Sequence, residues 1–360
     1  MKSNRPISRS KRPLNVFITV DTEVWPCTPN WRETGLSQEM DRLIYGTTRE
    51  GEYGLPFQID RLNKYGLKAV FFVESLFACA VGLDPLNKIV KMIQNGGQEV
   101  QLHIHTEWLA RMTQSILPGK TGQHLKDFSL EDQALLIEQG LQNLQACGVQ
   151  NLCAFRAGNY GANLDTLHAL AQNGILYDAS HNTCYLDSHC DIQTPDLLLQ
   201  PQKINGVYEF PISFIRDYPG HYRHMQLCAC SWLELKNALL EAWKQGWYSF
   251  VLVLHSFELV KSKSRYEFEL AKPRIRYEEK LSVDRIVTER FERLCRFLTD
   301  NRDKFRTAVF SEIAPDMIPP ALPSRPLRSR IYYTGLRYIE QLRSRLLFGW
   351  VSFFVMTFPS

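Results

Sequence analysis

The sequence predicts an α/β fold whose strands form a closed or nearly closed barrel. Eight short apolar or β-branched segments alternate with segments of helical period through most of the 360 residues. Seven or eight strands with helices between them favour a barrel over an open sheet. The composition, 44% hydrophobic and 22% charged, is that of a globular protein with a substantial core.

Each predicted element rests on a local pattern of side chains. The helix at 163–173 shows the 3.6-residue period in Leu164, Leu167, His168, Leu170 and Ala171, and Asn95-Gly96-Gly97 ends the predicted helix at 85–95. Helices are predicted at 54–65, 85–95, 130–147, 163–173, 231–245 and 281–300. Strands are predicted at 16–20, 67–73, 98–105, 152–157, 175–180, 207–213, 250–256 and 306–310.

Positive charge is concentrated at the two ends of the chain, which has a net charge of +4. Residues 1–13 contain five basic residues and no acid, and residues 316–360 contain six Arg and two acids, so the part between them is acidic. The distribution argues against a nucleic-acid-binding core and indicates termini attracted to an anionic surface. We therefore predict a basic arm (1–13), a barrel (14–315) and a Pro-rich linker with a basic tail (316–360).

The sequence also predicts a cytoplasmic protein. The basic N-terminus is not followed by the apolar segment of a signal peptide, and no apolar stretch reaches the length of a membrane-spanning helix. The nine cysteines form no CxxC pair, which is typical of reduced thiols.

Two acids and two histidines predict a metal site at the ends of the strands. Asp21 and Glu23 directly follow the first strand, where α/β enzymes place their chemistry. His103 and His105 are two residues apart on the third strand, so both rings point to one side. Imidazole and carboxylate ligands favour zinc, which leaves a position open for water at a catalytic site.

Three further strand ends carry titratable side chains. Arg156 ends the fourth strand, Asp178 the fifth, and His255 follows the apolar run Leu252-Val253-Leu254. Packing alone does not explain charged groups at five strand ends.

In order, these segments resemble the motifs of the polysaccharide deacetylase family, the NodB-homology carbohydrate esterases. The resemblance rests on Val20-Asp21-Thr22-Glu23, the His103/His105 segment, Arg156-Ala157-Gly158, Asp178-Ala179-Ser180 and Leu252-Val253-Leu254-His255, and it covers residues 14–315. It implies a distorted (β/α)7 barrel and metal-dependent hydrolysis of an acetyl group, N-acetyl before O-acetyl, on a sugar or polysaccharide.

The resemblance also implies a role for each residue. Asp21 would be the base that activates water at the metal, and Arg156 would hold its carboxylate. Glu23, which stands where the family usually has Asp, would bind the metal with His103 and His105. Asp178 would hold and tune His255, the general acid.

The sequence allows more than one set of metal ligands and more than one class of substrate. The family's second metal-binding His usually lies four residues after the first, and that position is Glu107 here, so His105 or Glu107 completes the site. Metal-dependent hydrolysis of a non-sugar C–N bond is an alternative function, and an inactive glycan-binding barrel is another. The sequence does not identify the sugar, its linkage or the native metal.

The tail predicts a membrane contact. Residues 329–358 combine Leu, Ile and aromatic residues with Arg, which suits a helix lying at the interface of an anionic membrane. A helix docked on the barrel is the alternative. Peripheral contact through 325–360 with the inner face of the membrane would make a lipid-linked saccharide a reasonable substrate.

Overall fold

The secondary structure follows the predicted alternation of strands and helices. The computed structural model describes residues 12–26, 31, 36–269, 274–320 and 325–348. Its strands are β1 Leu14–Thr22, β2 Thr47–Thr48, β3 Gly51–Glu52, β4 Val70–Glu74, β5 Glu99–Ile104, β6 Ala154–Ala157, β7 Tyr177–Asp178, β8 Gln202–Ile204, β9 Val207–Glu209, β10 Phe214–Tyr218, β11 His221–His224, β12 Ser249–His255, β13 Val260–Glu269, β14 Arg274–Val283, β15 Phe305–Thr307 and β16 Leu327–Arg328. Its helices of four or more residues, short 3₁₀ and π turns aside, are α1 Leu55–Lys64, α2 Ala78–Val81, α3 Leu83–Asn95, α4 Leu130–Ala146, α5 Leu164–Gln172, α6 Trp232–Gln245, α7 Arg285–Asp300 and α8 Ile331–Phe348.

The helices begin where the sequence supplies capping side chains. Ser129, Asn163 and Ser231 each accept a hydrogen bond from a backbone N–H in the first turn of α4, α5 and α6. These side chains satisfy donors that the helix itself leaves unpaired.

Seven parallel strands form the central sheet, in the order β12-β1-β4-β5-β6-β7-β9. β8 extends this sheet antiparallel to β9, and β15 pairs with the start of β1. β1 lies at the centre of the arrangement, because it pairs with β12 along one side and with β15 and then β4 along the other.

Irregular segments bridge the gap between β9 and β12. The Ile212 N–H donates to His181 O at 2.9 Å, and the Ser213 N–H donates to Val251 O at 3.1 Å. Beyond Ser213, Met225 O accepts from the Val253 N–H at 2.9 Å. The sheet therefore curls into the predicted distorted barrel of seven parallel strands, with irregular chain in place of regular pairing at one side.

An aromatic cluster fills one end of the barrel interior. Its buried residues come from the inward face of the strands and from the short segments beside them, and none of those described lies in an α-helix. The ring of Phe310, from the turn after β15, lies 4.8 Å from that of Phe17 and 5.2 Å from that of Phe210, measured between centroids. The alternate residues of the strands belong to a second core shared with the helices, and the polar residues collect at the other end of the barrel.

Three features add to the predicted fold. Between β12 and α7, β13 and β14 form an antiparallel hairpin. β10, β11 and β16 form a small separate sheet. Through β16 and α8, part of the predicted tail contacts the barrel, since Leu327 is fully buried and Arg337 forms ion pairs with Asp217 and Glu234.

Within the described part of the chain, no helix is both long enough and apolar enough to cross a bilayer.

Candidate active site

Strand alternation directs three of the predicted side chains into the barrel. Phe17 lies in the interior cluster, so Asp21, four residues later on the same strand, points the same way. By the same alternation, Arg156 points inward like Ala154, and His255 points inward like Val253, each two residues earlier on the same strand. Asp21 and His255 are direct neighbours in the register of β1 and β12. The polar end of the barrel therefore gathers residues from strands that are far apart in sequence.

Glu23 contacts both predicted histidines, His103 on β5 and His105 directly after it. Glu23 Oε1 lies 3.1 Å from His103 Nε2 and 3.0 Å from His105 Nε2. The indole N–H of Trp25 donates to the other carboxylate oxygen, Oε2, at 3.2 Å. Glu23 is thus fixed by Trp25 on one side and faces two imidazole nitrogens on the other.

Groups behind the two rings set their orientation. His103 Nδ1 lies 2.7 Å from the Arg156 carbonyl oxygen and donates its proton there, so Nε2 is the nitrogen that can carry either a second proton, donated to Glu23, or a metal ion. His105 Nδ1 lies 3.4 Å from Glu107 Oε2, and the Asn159 amide holds Glu107 Oε1 at 2.8 Å. Glu107 therefore lies behind His105, on the side away from Glu23, in the position of a carboxylate that orients a metal-binding histidine.

The charges of this cluster depend on one another. Burial by itself raises the pKa of Glu23, but the charge of His105 and the hydrogen bonds of both histidines outweigh it and hold the pKa well below its usual range. Burial lowers the pKa of His105, but the carboxylates of Glu23 and Glu107 outweigh it and hold the pKa well above its usual range. A cation at this position is therefore favoured, whether a proton or a metal ion.

The residues present fit a divalent metal ion. Ligand atoms of Glu23, His103 and His105 all lie within 4.8 Å of one another, and all three residues are buried. Both ring nitrogens of His105 are buried and face carboxylate oxygens, Glu23 Oε1 at 3.0 Å and Glu107 Oε2 at 3.4 Å, which only accept hydrogen bonds, so a neutral ring leaves one nitrogen without a donor unless a cation binds there. Two imidazoles and one carboxylate form a ligand set that zinc uses at catalytic sites, where a fourth position stays open.

Asp21 lies beside this cluster in an ion pair with Arg156. The Arg156 guanidinium donates to Asp21 Oδ1 at 2.6 Å and to Ala179 O at 2.9 Å, and both side chains are buried. Ligand atoms of Asp21, Glu23 and His255 also lie within 4.8 Å of one another. The predicted base, the predicted acid and the predicted ligands therefore share one site.

Gln226, and not Asp178, contacts the His255 ring. The Gln226 amide nitrogen lies 3.2 Å from His255 Nδ1 and 2.9 Å from Glu258 Oε1. Gln226 Oε1 lies 2.9 Å from His224 Nε2. Burial lowers the pKa of His224 to about 4, so this ring is neutral and can donate to the amide oxygen.

These contacts determine the proton position on His255. Glu258 accepts hydrogen bonds, so the amide nitrogen of Gln226 must be the atom that faces it. The same nitrogen donates to His255 Nδ1, and the proton of the neutral ring is therefore on Nε2. Nε2 is therefore the ring nitrogen that remains available to a bound substrate.

Asp178 lies on the other face of the sheet. Tyr177 and Ala179 belong to the interior cluster, so the residue between them points outward. There Asp178 accepts from the Ser180 hydroxyl at 2.7 Å and is hydrogen-bonded to Glu209. Burial and the neighbouring Asp178 carboxyl raise the pKa of Glu209 well above its usual range, so this pair holds a proton. No contact between Asp178 and His255 occurs among the described residues.

A strained turn after β6 adds two side chains to the site. Asn159 and Tyr160 both have positive φ angles, of 54° and 58°, which is uncommon for residues other than Gly. Burial and then the charge of Asp21 raise the pKa of Tyr160 well above its usual range, so a neutral phenol lies near the predicted base. The turn also brings the Asn159 amide to Glu107.

Trp25, Gln226, Glu258 and Tyr160 are site residues that the sequence did not predict. Gln226 and Glu258 lie in irregular segments, beyond the strand ends that carry the predicted residues. Trp25 could have been predicted from its position, because it lies two residues after Glu23, beyond the end of the same strand.

Comparison with known proteins adds information on the fold. No protein-family model and no curated protein sequence matches this chain. Among solved structures it is similar to a Mycobacterium smegmatis protein that is provisionally assigned as a polysaccharide deacetylase. That match has a TM-score of 0.53 at 17% identity and covers 89% of this chain and 97% of the other.

Two further structures match less well. The family 4 carbohydrate esterase from Streptomyces lividans, solved with acetate, has a TM-score of 0.37 at 10% identity and covers 86% of this chain and 98% of its own. A CE4 family pseudoenzyme from Bacillus anthracis has a TM-score of 0.32 at 12% identity, over 68% of this chain and 56% of its own. The Mycobacterium smegmatis match confirms that the chain has the fold predicted from its motifs, that of the polysaccharide deacetylases.

Proposed function

We propose that this protein is a metal-dependent hydrolase that removes an acetyl group, N-acetyl in preference to O-acetyl, from a sugar, polysaccharide or saccharide intermediate. The observation that carries the proposal is the convergence of Glu23, His103 and His105 with Asp21 and His255 at one end of the barrel. An isolated metal site would not require a second carboxylate held by a buried Arg beside it.

Glu23, His103 and His105 would hold the ion, which we propose is zinc. When bound, a divalent ion polarises a carbonyl and lowers the pKa of water. The donations of Trp25 to Glu23 and of His103 to the Arg156 carbonyl keep the ligand atoms in place.

Asp21 is the proposed base. Arg156 occupies its Oδ1, and no hydrogen bond within the described ranges reaches Oδ2, so Oδ2 is the oxygen available to take a proton from water. The ion pair with Arg156 and the hydrogen bond of Arg156 to Ala179 O fix the direction of that oxygen.

His255 is the proposed proton donor to the leaving amine. Gln226 keeps a proton on Nε2, the nitrogen that Gln226 does not contact. Donation from a protonated ring would put a second proton on Nδ1, and Gln226 would then have to turn its amide oxygen toward that nitrogen. The charge of His255 is therefore coupled to the orientation of the Gln226 amide. Glu258 stabilises the present orientation, because it accepts a hydrogen bond from the amide nitrogen.

Acetate release tests this proposal. We expect the zinc-loaded protein to release acetate from N-acetylglucosamine oligosaccharides, and we expect a chelator to stop the reaction and added zinc to restore it. Metal binding without acetate release, combined with hydrolysis of non-sugar amides, would support the alternative C–N hydrolase. Glycan binding with neither metal binding nor turnover would instead support the inactive barrel.

A further inference from the structure

The outward surface of α8 is apolar, whereas its inward surface is polar. Of the thirteen large hydrophobic residues that the structure shows as exposed, six lie in this one helix. Ile331, Ile339 and Leu342 are 81%, 51% and 56% exposed. We name this surface the apolar face of α8, and it comprises Ile331, Tyr332, Leu336, Tyr338, Ile339 and Leu342.

The side of α8 that faces the barrel carries charge. Arg337 is buried and donates to Asp217 at 2.8 Å and to Glu234 at 3.2 Å. Thr334, one turn before, is buried as well and contacts the Glu234 carboxylate through its hydroxyl. Fixed ion pairs therefore hold the helix in this orientation, because turning the apolar face inward would leave Asp217 and Glu234 buried without Arg337.

This arrangement is the reverse of an ordinary surface helix, which directs its apolar stripe at the core and its charges at water. A contiguous apolar surface on one helix indicates a partner that is itself apolar.

Positive charge adjoins the apolar face. Arg325, Arg328 and Arg330 are exposed just before α8, and Arg325 and Arg328 line a groove together with Arg216 and one acid, Glu241. Among the described residues, no carboxylate forms an ion pair with the side chains of Arg325, Arg328 or Arg330. No acid follows Glu340 in the sequence. The remaining residues, from Gly349 to Ser360, are mostly apolar or aromatic and carry no charge.

We propose that the apolar face of α8 binds the surface of a membrane containing anionic lipid, with the helix axis in the plane of the membrane. The apolar face enters the boundary between headgroups and acyl chains, and the three exposed arginines contact lipid phosphates. The charge complementarity favours this partner over a second copy of the chain, because a copy would bring the same arginines to the contact.

Vesicle flotation with the full-length protein tests the proposal. We expect flotation with vesicles of phosphatidylcholine mixed with phosphatidylglycerol. Leu336→Glu combined with Ile339→Glu should lower the bound fraction at least about tenfold. Arg325→Ser combined with Arg328→Ser should weaken binding to anionic vesicles by roughly fivefold per residue and leave the weaker binding to pure phosphatidylcholine unchanged.

Leu135→Glu is the matched control, since Leu135 is similarly exposed but lies on α4. It should leave flotation unchanged. Circular dichroism and thermal unfolding check that every variant is folded. Flotation does not depend on turnover, so its failure would overturn the membrane contact and leave the proposed deacetylation intact.

Three results would overturn the proposal. The first is equal flotation of the wild type and of the double Glu variant. The second is a dimer in solution that the double Glu variant abolishes, which would assign the apolar face to a second copy. The third is flotation only after deletion of residues 349–360, which would show that the chain's own C-terminus covers the face.

Discussion

Replacing Asp21 with Asn should lower the rate of acetate release by about 10²–10⁴-fold, the usual contribution of a general base. The amide has nearly the shape of the carboxylate, and its oxygen can still accept the hydrogen bond of Arg156 that now reaches Oδ1. It cannot take a proton from water at neutral pH. Because Glu23, His103 and His105 remain, we expect zinc to stay bound at one equivalent, measured by mass spectrometry after dialysis.

Asp217→Asn is a suitable control for this variant. Asp217 is also buried and paired with Arg, but it lies in β10 and contacts Arg223 and Arg337. Both variants should lose stability, since each leaves a buried guanidinium without its full charge partner. Only Asp21→Asn should lose turnover. Loss of zinc from Asp21→Asn would show that Asp21 binds the metal directly, contrary to the proposed role.

Replacing Glu23 with Ala should weaken zinc affinity by more than about 100-fold, because the effect should exceed the 10–100-fold cost of losing a group that only orients a ligand. The substitution removes the one carboxylate that faces both His103 and His105, and it leaves the indole N–H of Trp25 without its acceptor. Competition with a chromogenic chelator measures the affinity.

Glu107→Ala provides the comparison for that variant. Glu107 contacts His105 from behind, at Nδ1, so its loss should cost only about 10–100-fold in zinc affinity. Equal losses for the two variants would show that Glu107 is itself a ligand. Unchanged affinity after Glu23→Ala would contradict the proposed ligand set.

Much of the fold was predictable because it rests on local patterns. Apolar strands and capped helices alternate along the chain, and the six predicted helices are all present. The closure of the barrel could not be predicted, because it depends on backbone hydrogen bonds of Ser213 and Met225, which lie outside the regular strands, and the strand predicted at 207–213 ends at Glu209.

The candidate site divides in the same way. Asp21, Arg156 and His255 could be found because each ends a strand and points inward. Asp178 also ends a strand, but Tyr177 and Ala179 take the inward positions on either side of it. The group that contacts His255 instead is Gln226, from a segment between β11 and α6, and its position depends on tertiary contacts with Glu258 and His224.

The tail shows a limit of composition as evidence. Its mixture of Arg and apolar residues predicted either a membrane helix or a docked helix. In the structure, α8 contacts the barrel through Arg337 while its apolar face stays exposed. Only the pairing of Arg337 with Asp217 and Glu234, more than 90 residues away, shows which side of the helix faces inward.

The account depends most on where the metal binds. Crystals of the full-length protein grown with zinc, with anomalous diffraction measured at the zinc edge, would locate the ion directly. We expect one site bound by Glu23, His103 and His105, with zinc–nitrogen distances of about 2.0–2.1 Å and Asp21 outside the ligand set. An ion bound by Asp21, Glu23 and His255, or no ion in excess zinc, would contradict the account.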